Sequence, residues 1–138
     1  RDQPRSRGLG DVYKRQTLDV HPDQKMDFRS LPFEDNSFYL VMFDPPHLYN
    51  LGKTSYMAQS YGVLNKETWK EDLQRGFREC WRVLKPHGTL IFKWTDKDIP
   101  LPLILHLFKP IVPLCGDKKV TSSKTGVSRF WLVFYKDK

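Results

Sequence analysis

Short apolar runs alternate with segments of helical periodicity along most of this chain. The nearly continuous run Phe38 to Phe43 is rich in β-favouring residues, which is typical of a strand buried on both faces of a parallel sheet. Pro45 and Pro46 lack the amide hydrogens that would continue a ladder, so this strand is predicted to stop at Asp44. A shorter strand is predicted at Gln24 to Phe28.

The clearest helix is predicted to begin at Asn65, a favourable N-cap, and to end at Lys85-Pro86-His87-Gly88. Gly76 lies inside this helix and costs it about 1 kcal/mol relative to alanine. Its apolar stripe follows helical spacing and comprises Trp69, Leu73, Phe77, Cys80, Trp81 and Leu84. The later elements are predicted as a strand at Thr89 to Trp94, a short helix near Pro102 to Phe108, a strand near Ile111 to Leu114 and a strand at Arg129 to Tyr135.

This order of strands and helices predicts an α/β sheet with mostly right-handed crossovers. The first sixteen residues, Arg1 to Gln16, lack hydrophobic periodicity and carry five arginines and lysines. The stretch Gly8 to Gln16 is similar to a translated adapter sequence that recurs at the ends of metagenome-derived proteins, with a native basic arm or a tag remnant as alternatives. We therefore expect residues 1–16 to be a non-native or disordered leader and residues 17–138 to form one domain.

Composition narrows the class of protein. Hydrophobic residues make up 39% of the 138 residues, which argues against disorder, and the net charge of +7 favours a polyanionic partner such as nucleic acid. Cys80 and Cys115 lack metal-ligand spacing and lie among apolar neighbours, so both are predicted to be buried free thiols of a cytoplasmic protein without a bound metal. The longest apolar run, Leu101 to Phe108, is too short to cross a bilayer, so no membrane association is expected.

The candidate chemistry lies at Asp44-Pro45-Pro46. In open α/β sheets ligands bind beyond the carboxyl ends of the strands, which is where Asp44 falls. Each proline disfavours the α conformation of the residue before it, giving a stiff extended tripeptide. A carboxylate and a fixed carbonyl side by side suit an exocyclic amino group, because each accepts one N–H hydrogen bond and together they direct the nitrogen lone pair towards an electrophile. The alternative for these residues is a simple strand terminator and turn.

Three blocks of sequence resemble class I S-adenosylmethionine-dependent methyltransferases, in particular amino-methyltransferases with an Asp-Pro-Pro-aromatic motif. Met26 to Phe38 is similar to the segment joining the third and fourth strands, Phe43 to His47 to the catalytic motif, and Arg82 to Leu90 to the turn into the fifth strand. The resemblance covers residues 17–138 and is greatest to small bacterial and phage proteins. It implies a Rossmann-like, mostly parallel sheet whose last strand runs antiparallel between the two before it.

The same resemblance implies roles for individual residues. Asp27 and Phe28 are expected to flank the adenine ring of S-adenosylmethionine, while Asp44 and Pro45, followed by Pro46, hold the target amine. His47 stands where the family has a stacking aromatic. Further substrate contacts are expected from Lys53, Tyr56, Lys93 and Trp94, each of which has an ordinary loop or core role as its alternative.

One part of the family pattern is absent. The Gly-rich loop after the first strand has no counterpart, since Gly8 and Gly10 follow no apolar strand, and the fold is therefore expected to be N-terminally truncated. The leading hypothesis is methyl transfer from S-adenosylmethionine to an amino nitrogen, favouring adenine or cytosine of DNA. The alternatives are the same fold acting on a small molecule or a protein amide, and a non-catalytic fragment or binding module.

Overall fold

A computed structural model describes residues 26–49, 62–120 and 126–138. Within them the chain forms β1 (Phe38–Phe43), α1 (Trp69–Val83), β2 (Leu84–Thr95), α2 (Leu101–Phe108), β3 (Cys115–Val120) and β4 (Ser128–Tyr135). The strands make one sheet in the order β1-β2-β4-β3, with β1 parallel to β2 and β4 antiparallel to both of its neighbours. The α/β sheet with an antiparallel final strand lying between the two before it is thus confirmed.

The core is an aromatic layer between the two helices and one face of the sheet. Phe77 of α1 stacks on Phe108 of α2 with ring centroids 3.9 Å apart, and it meets Phe134 of β4 edge-on at 5.2 Å. The ring of Phe92 in β2 meets the ring of Phe108 edge-on, with centroids 5.1 Å apart. Because side chains alternate along a strand, Leu90 and Phe92 face this layer and are fully buried. Both amphipathic helices therefore cover the same face of the sheet.

Helix α1 begins later than predicted. The side-chain oxygen of Asn65 accepts a hydrogen bond from the amide of Glu67 at 2.8 Å, and residues 66–68 form a turn before the helix begins at Trp69. Asparagine closes such a turn with its own side chain, in competition with helix formation. The N-cap position lies at Thr68 and not at Asn65, although Asn65 makes the predicted capping bond and its carbonyl accepts the amide of Trp69 at 3.0 Å. The apolar stripe was right from Trp69 to Trp81, whereas Leu84 belongs to β2.

Two strands also differ from their predicted bounds. Strand β2 begins at Leu84, directly after the helix. The stretch Lys85-Pro86-His87-Gly88, predicted to end the helix, therefore lies in this strand. Its pairing with β1 shifts register there, and His87 has a φ of 63°. The strand predicted at Ile111 to Leu114 instead lies at Cys115–Val120, because Pro113 interrupts the first segment and pairing with β4 selects the second. All of β3 is exposed, so Cys115 is exposed and only Cys80 matches the buried thiol predicted for both.

The first predicted strand is not formed where it is described. Met26 and Asp27 are irregular and Phe28 begins a turn, while Gln24 and Lys25 lie outside the described residues. The segment after Phe28 is held on α1 by side chains and makes no strand pairing in the described part of the chain.

Candidate active site

The Asp-Pro-Pro motif lies at the carboxyl edge of the sheet, where parallel β1 and β2 end side by side. Phe43 pairs with Phe92, so the next residues in each strand, Asp44 and Lys93, are neighbours. Lys93 Nζ donates to Asp44 Oδ2 at 2.7 Å, and the two side chains are about equally half-buried, at 25% and 24% exposure. Two residues predicted separately as catalytic and substrate-binding thus form one ion pair.

The two prolines and the residues after them shape the loop that leaves this edge. Pro45 is buried. Gly62, at a φ of 76°, lies close to Pro46, so that a Cβ at Gly62 would be 3.3 Å from Pro46 Cγ. The amide of Leu64 donates to the carbonyl of Leu48 at 2.9 Å. The base of the long connection after the motif is therefore closed beside Pro46. Lys53 and Tyr56, predicted as substrate contacts, lie outside the described residues.

His47 packs against a buried indole. Its ring meets that of Trp94 edge-on, with centroids 6.2 Å apart, and Trp94 is only 1% exposed. The indole Nε1 of Trp94 donates to the carbonyl of Ile99 at 2.9 Å, which fixes the ring. At this burial Trp94 supports the His47 ring and does not itself present a surface to a substrate.

The charge state of His47 follows from its surroundings. Burial lowers its pKa from the usual value, the Asp44 charge opposes that shift, and the Lys93 and Arg129 charges add to it. The imidazole is therefore neutral at neutral pH, and a neutral planar ring is better suited to packing on an uncharged substrate than an imidazolium.

Four site residues were missed by the sequence interpretation. Arg129, the second residue of β4, pairs with Thr95, and Trp131 places its ring 5.5 Å from Lys93 Nζ. Asp98 accepts the amide of Tyr49 at 3.0 Å, and Asp96 accepts the amide of Ser128 at 2.8 Å. Their positions in the sequence were the one signal that could have found them. Residues that follow one predicted strand lie at the same edge of the sheet as residues that begin the antiparallel strand beside it.

The candidate cofactor residues touch the strand that carries the Asp-Pro-Pro motif through an aromatic contact. The Phe28 ring is 5.7 Å from that of Phe43, the residue directly before Asp44. Asp27, 46% exposed, binds the Arg29 guanidinium through both carboxylate oxygens, at 2.8 and 2.9 Å. These hydrogen bonds lower the pKa of Asp27 to about 2, so its carboxylate is ionised and remains an acceptor at neutral pH.

An arginine–glutamate pair on α1 anchors the segment that follows Asp27 and Phe28. Arg82 donates to the carbonyls of Leu31 and Phe33 at 3.1 and 2.8 Å, and Glu79 Oε2 accepts the amide of Leu31 at 2.8 Å. The Arg82 hydrogen bond lowers the pKa of Glu79, which keeps the pair ionised. Arg29 reaches the same helix through Asp72 at 3.1 Å. The candidate cofactor segment is thus fixed by α1 and not by pairing in the sheet.

Gly76 provides the space in which Phe28 sits. A Cβ at Gly76 would lie 2.7 Å from Phe28 Cε2, closer still to Phe28 Cδ2, and 2.9 Å from Phe43 Cζ. Real Cβ atoms do not approach other atoms so closely. The helix-weakening glycine is therefore explained by packing against the cofactor segment.

No group of three or more histidine, cysteine, aspartate and glutamate side chains in the described ranges is arranged so that it could hold a metal ion. None of the helices seen there is long and apolar enough to cross a bilayer.

Comparison with known proteins finds a local likeness to a methyltransferase. No protein-family model matches it. A stretch of 61 residues is 44% identical to the type II methyltransferase M.HpaI of Haemophilus parainfluenzae, covering 41% of this chain and 17% of the enzyme. The chain thus matches less than a fifth of the length of that curated relative.

Solved structures resemble the fold more broadly. A candidate DNA modification methylase from Thermus thermophilus superposes with a TM-score of 0.54 at 22% identity, covering 78% of this chain and 48% of that one. The same protein was also solved in complex with S-adenosyl-L-methionine, with a TM-score of 0.52 at 18% identity, covering 81% and 54% of the two chains. The PH0226 protein from Pyrococcus horikoshii gives 0.55 at 18%, covering 80% and 57%. The chain therefore has the Rossmann-like fold of class I methyltransferases and spans about half the length of these structures.

Proposed function

We propose that this chain carries the catalytic edge of an S-adenosylmethionine-dependent methyltransferase that acts on an amino nitrogen, in particular that of adenine or cytosine in DNA. The observation that carries the proposal is the Asp44 carboxylate, held by Lys93 at the carboxyl edge of the sheet and followed by Pro45 and Pro46. The local identity to M.HpaI and the fold of a candidate DNA modification methylase support it.

Asp44 and Pro45 would hold the amine. A carboxylate offers about four lone-pair sites on two oxygens, so the Lys93 contact on Oδ2 is compatible with a second hydrogen bond from a target N–H. Pro46 leaves the carbonyl before it with no local amide donor and keeps the backbone extended. The two acceptors thereby fix the amine and direct its lone pair, which is a contribution of orientation and electrostatics.

His47 would pack on the plane of the substrate. It is neutral, and its ring is supported edge-on by the rigid indole of Trp94. An aromatic surface beside the acceptors is what an extruded base requires, because it replaces the stacking that the base loses. Lys53 and Tyr56 remain proposed contacts of the same substrate.

The residues that would hold the cofactor fit an adenosine. Asp27 is ionised, partly exposed and able to accept from an adenine amine, and the Phe28 backbone follows it. The Phe28–Phe43 contact puts this segment next to Asp44. S-adenosylmethionine, when bound, supplies the electrophilic methyl group. The residues of this chain would hold the acceptor nitrogen in one orientation and exclude other orientations of it.

A small-molecule acceptor is the second candidate. The fold also superposes on a candidate sarcosine dimethylglycine methyltransferase from Galdieria sulphuraria, with a TM-score of 0.50 at 16% identity, covering 82% of this chain and 58% of that one. An amine of a small metabolite would use the same Asp44 and Pro45 acceptors.

Two experiments separate these possibilities. Calorimetric titration of S-adenosylhomocysteine should show binding that Asp27→Asn weakens and Asp35→Asn does not. Asp35 is the matched control, because it also pairs with an arginine but lies outside the proposed adenine site. Incubation with tritiated S-adenosylmethionine and either DNA or a pool of small amines should then label DNA; label found in the amines alone would replace the nucleobase by a small molecule.

A further inference from the structure

Strands β3 and β4 bring two cations directly opposite each other. Lys119 and Arg129 are cross-strand partners, and both are exposed. Neither forms an ion pair with a carboxylate anywhere in residues 26–49, 62–120 and 126–138. Like charges directly opposite in a ladder destabilise a sheet, so this pair costs the fold stability unless an anion lies between the two side chains.

The pair lies at the rim of the candidate active site. Arg129 is paired with Thr95, at the carboxyl end of β2, and its charge is felt by His47. Because side chains alternate along a strand, Arg129 and Trp131 share the sheet face of Lys93. The Lys93–Trp131 contact at 5.5 Å confirms that face. A surface of alternating basic and aromatic side chains therefore leads away from Asp44.

The carboxylates near this surface do not neutralise the pair. Asp117 lies opposite Trp131 on the same face, two residues from Lys119, but it forms no ion pair within the part of the chain that the structure describes. Asp96 is held by the amide of Ser128 at 2.8 Å. Among the residues that the structure describes, no carboxylate therefore takes up the capacity of the two cations for an external anion.

We propose that Lys119 and Arg129 bind one backbone phosphate of the nucleic-acid strand whose base enters the site, a proposal that rests on the function proposed above. Opposite Cβ atoms in an antiparallel pair are about 5 Å apart, so both side chains reach one phosphate. The guanidinium supplies a bidentate contact and the ammonium a point charge. Trp131, beside them, offers a face on which a neighbouring base stacks.

Fluorescence anisotropy of a labelled single-stranded oligonucleotide, measured over a range of salt concentrations, tests this. The Lys119→Gln/Arg129→Gln variant should bind about tenfold or more weakly than the unmodified chain. The slope of log K against log salt should become shallower by about 0.7–0.9 for the one phosphate that is no longer neutralised. The matched control is Arg78→Gln/Lys109→Gln, which removes the same charge from exposed positions on α1 and after α2. It should leave the slope nearly unchanged.

Three results would overturn the inference. Equal affinities and slopes for the two double variants would show that only net charge matters. No binding of the oligonucleotide by the unmodified chain would remove the nucleic-acid contact, whereas S-adenosylhomocysteine binding by the same sample would leave methyl transfer to another acceptor standing. Titration of inorganic phosphate supplies the third, since tighter binding of free phosphate than of the oligonucleotide would assign the pair to a small anion.

Discussion

The packing of Phe28 against the helix backbone makes Gly76→Ala an informative substitution. On an isolated helix this change is stabilising, by about 1 kcal/mol, because alanine loses less backbone entropy and shields the helix. Here the added methyl would lie 2.7 Å from Phe28 Cε2 and 2.9 Å from Phe43 Cζ, so the rings must move. Overpacking of this kind typically costs about 1–3 kcal/mol, so we expect a net destabilisation of up to about 2 kcal/mol.

Urea denaturation of a double-mutant cycle isolates the cause. Phe28→Ala removes the two closest contacts of the new methyl, and the contact with Phe43 Cζ at 2.9 Å remains. Gly76→Ala should therefore be much less harmful, or even stabilising, in the Phe28→Ala background, with a coupling of about 1–3 kcal/mol. If Gly76→Ala stabilises the unmodified chain by its full helix propensity, Phe28 does not pack on α1 and the proposed cofactor segment is misplaced. The single variant should also bind S-adenosylhomocysteine more weakly, because Asp27 moves with Phe28.

Three further outcomes follow from contacts at and around the site. Lys93→Met should lower the rate of methyl transfer by about 10–100-fold, because Asp44 loses the ammonium that orients it. Lys93→Arg should retain more activity, and equal losses of rate in the two variants would contradict an electrostatic role for Lys93. Burial lowers the pKa of His47, so the imidazole binds a proton less readily in the folded chain than in the unfolded chain, and stability should fall as the pH drops below about 6.5. Thermal unfolding of His47→Phe should lack this pH-dependent loss of stability. A pH profile that is the same for both chains would refute the prediction. Lys136→Met removes donors from the carbonyls of Trp81 and Leu84, at 2.9 and 2.6 Å, and should destabilise the chain by about 1–3 kcal/mol in urea, whereas Lys138→Met at the exposed terminus should not.

Sequence reasoning was most reliable where one residue pattern determines one local structure. The run Phe38–Phe43 followed by two prolines forms the predicted strand with an abrupt end, and the stripe from Trp69 onward forms an amphipathic helix. The prediction that the whole strand is buried was wrong, because Phe38, Tyr39 and Leu40 are exposed and only its second half is buried. Strand β3 shows the opposite case. It contains Gly116, Asp117, Lys118 and Lys119, and pairing with β4 makes it a strand although its own composition does not.

The residues of the candidate site could be proposed from the sequence, but the contacts among them could not. Asp44 and Lys93 could each be placed at a strand end, but their ion pair depends on the register that sets Phe43 opposite Phe92. For Trp94 the sequence left two roles open, lining the substrate cleft or packing at the edge of the core, and the alternation of side chains buries it in the core, in contact with His47. The anchoring of Phe28 by Gly76 required the tertiary fold, because a glycine in a helix carries no signal of what packs against it.

The central claim is that the Asp44 carboxylate holds the amine that receives the methyl group. The most direct test is single-turnover transfer of tritiated methyl to adenine- or cytosine-containing DNA by the unmodified chain and by Asp44→Asn, with mass spectrometry of the product base. The amide keeps the size of the side chain but removes its charge and one acceptor, so transfer to an exocyclic amine should fall by about 100–1,000-fold. An Asp44→Asn variant that transfers methyl as fast as the unmodified chain, or methyl found on a ring atom in place of the exocyclic nitrogen, would contradict the account.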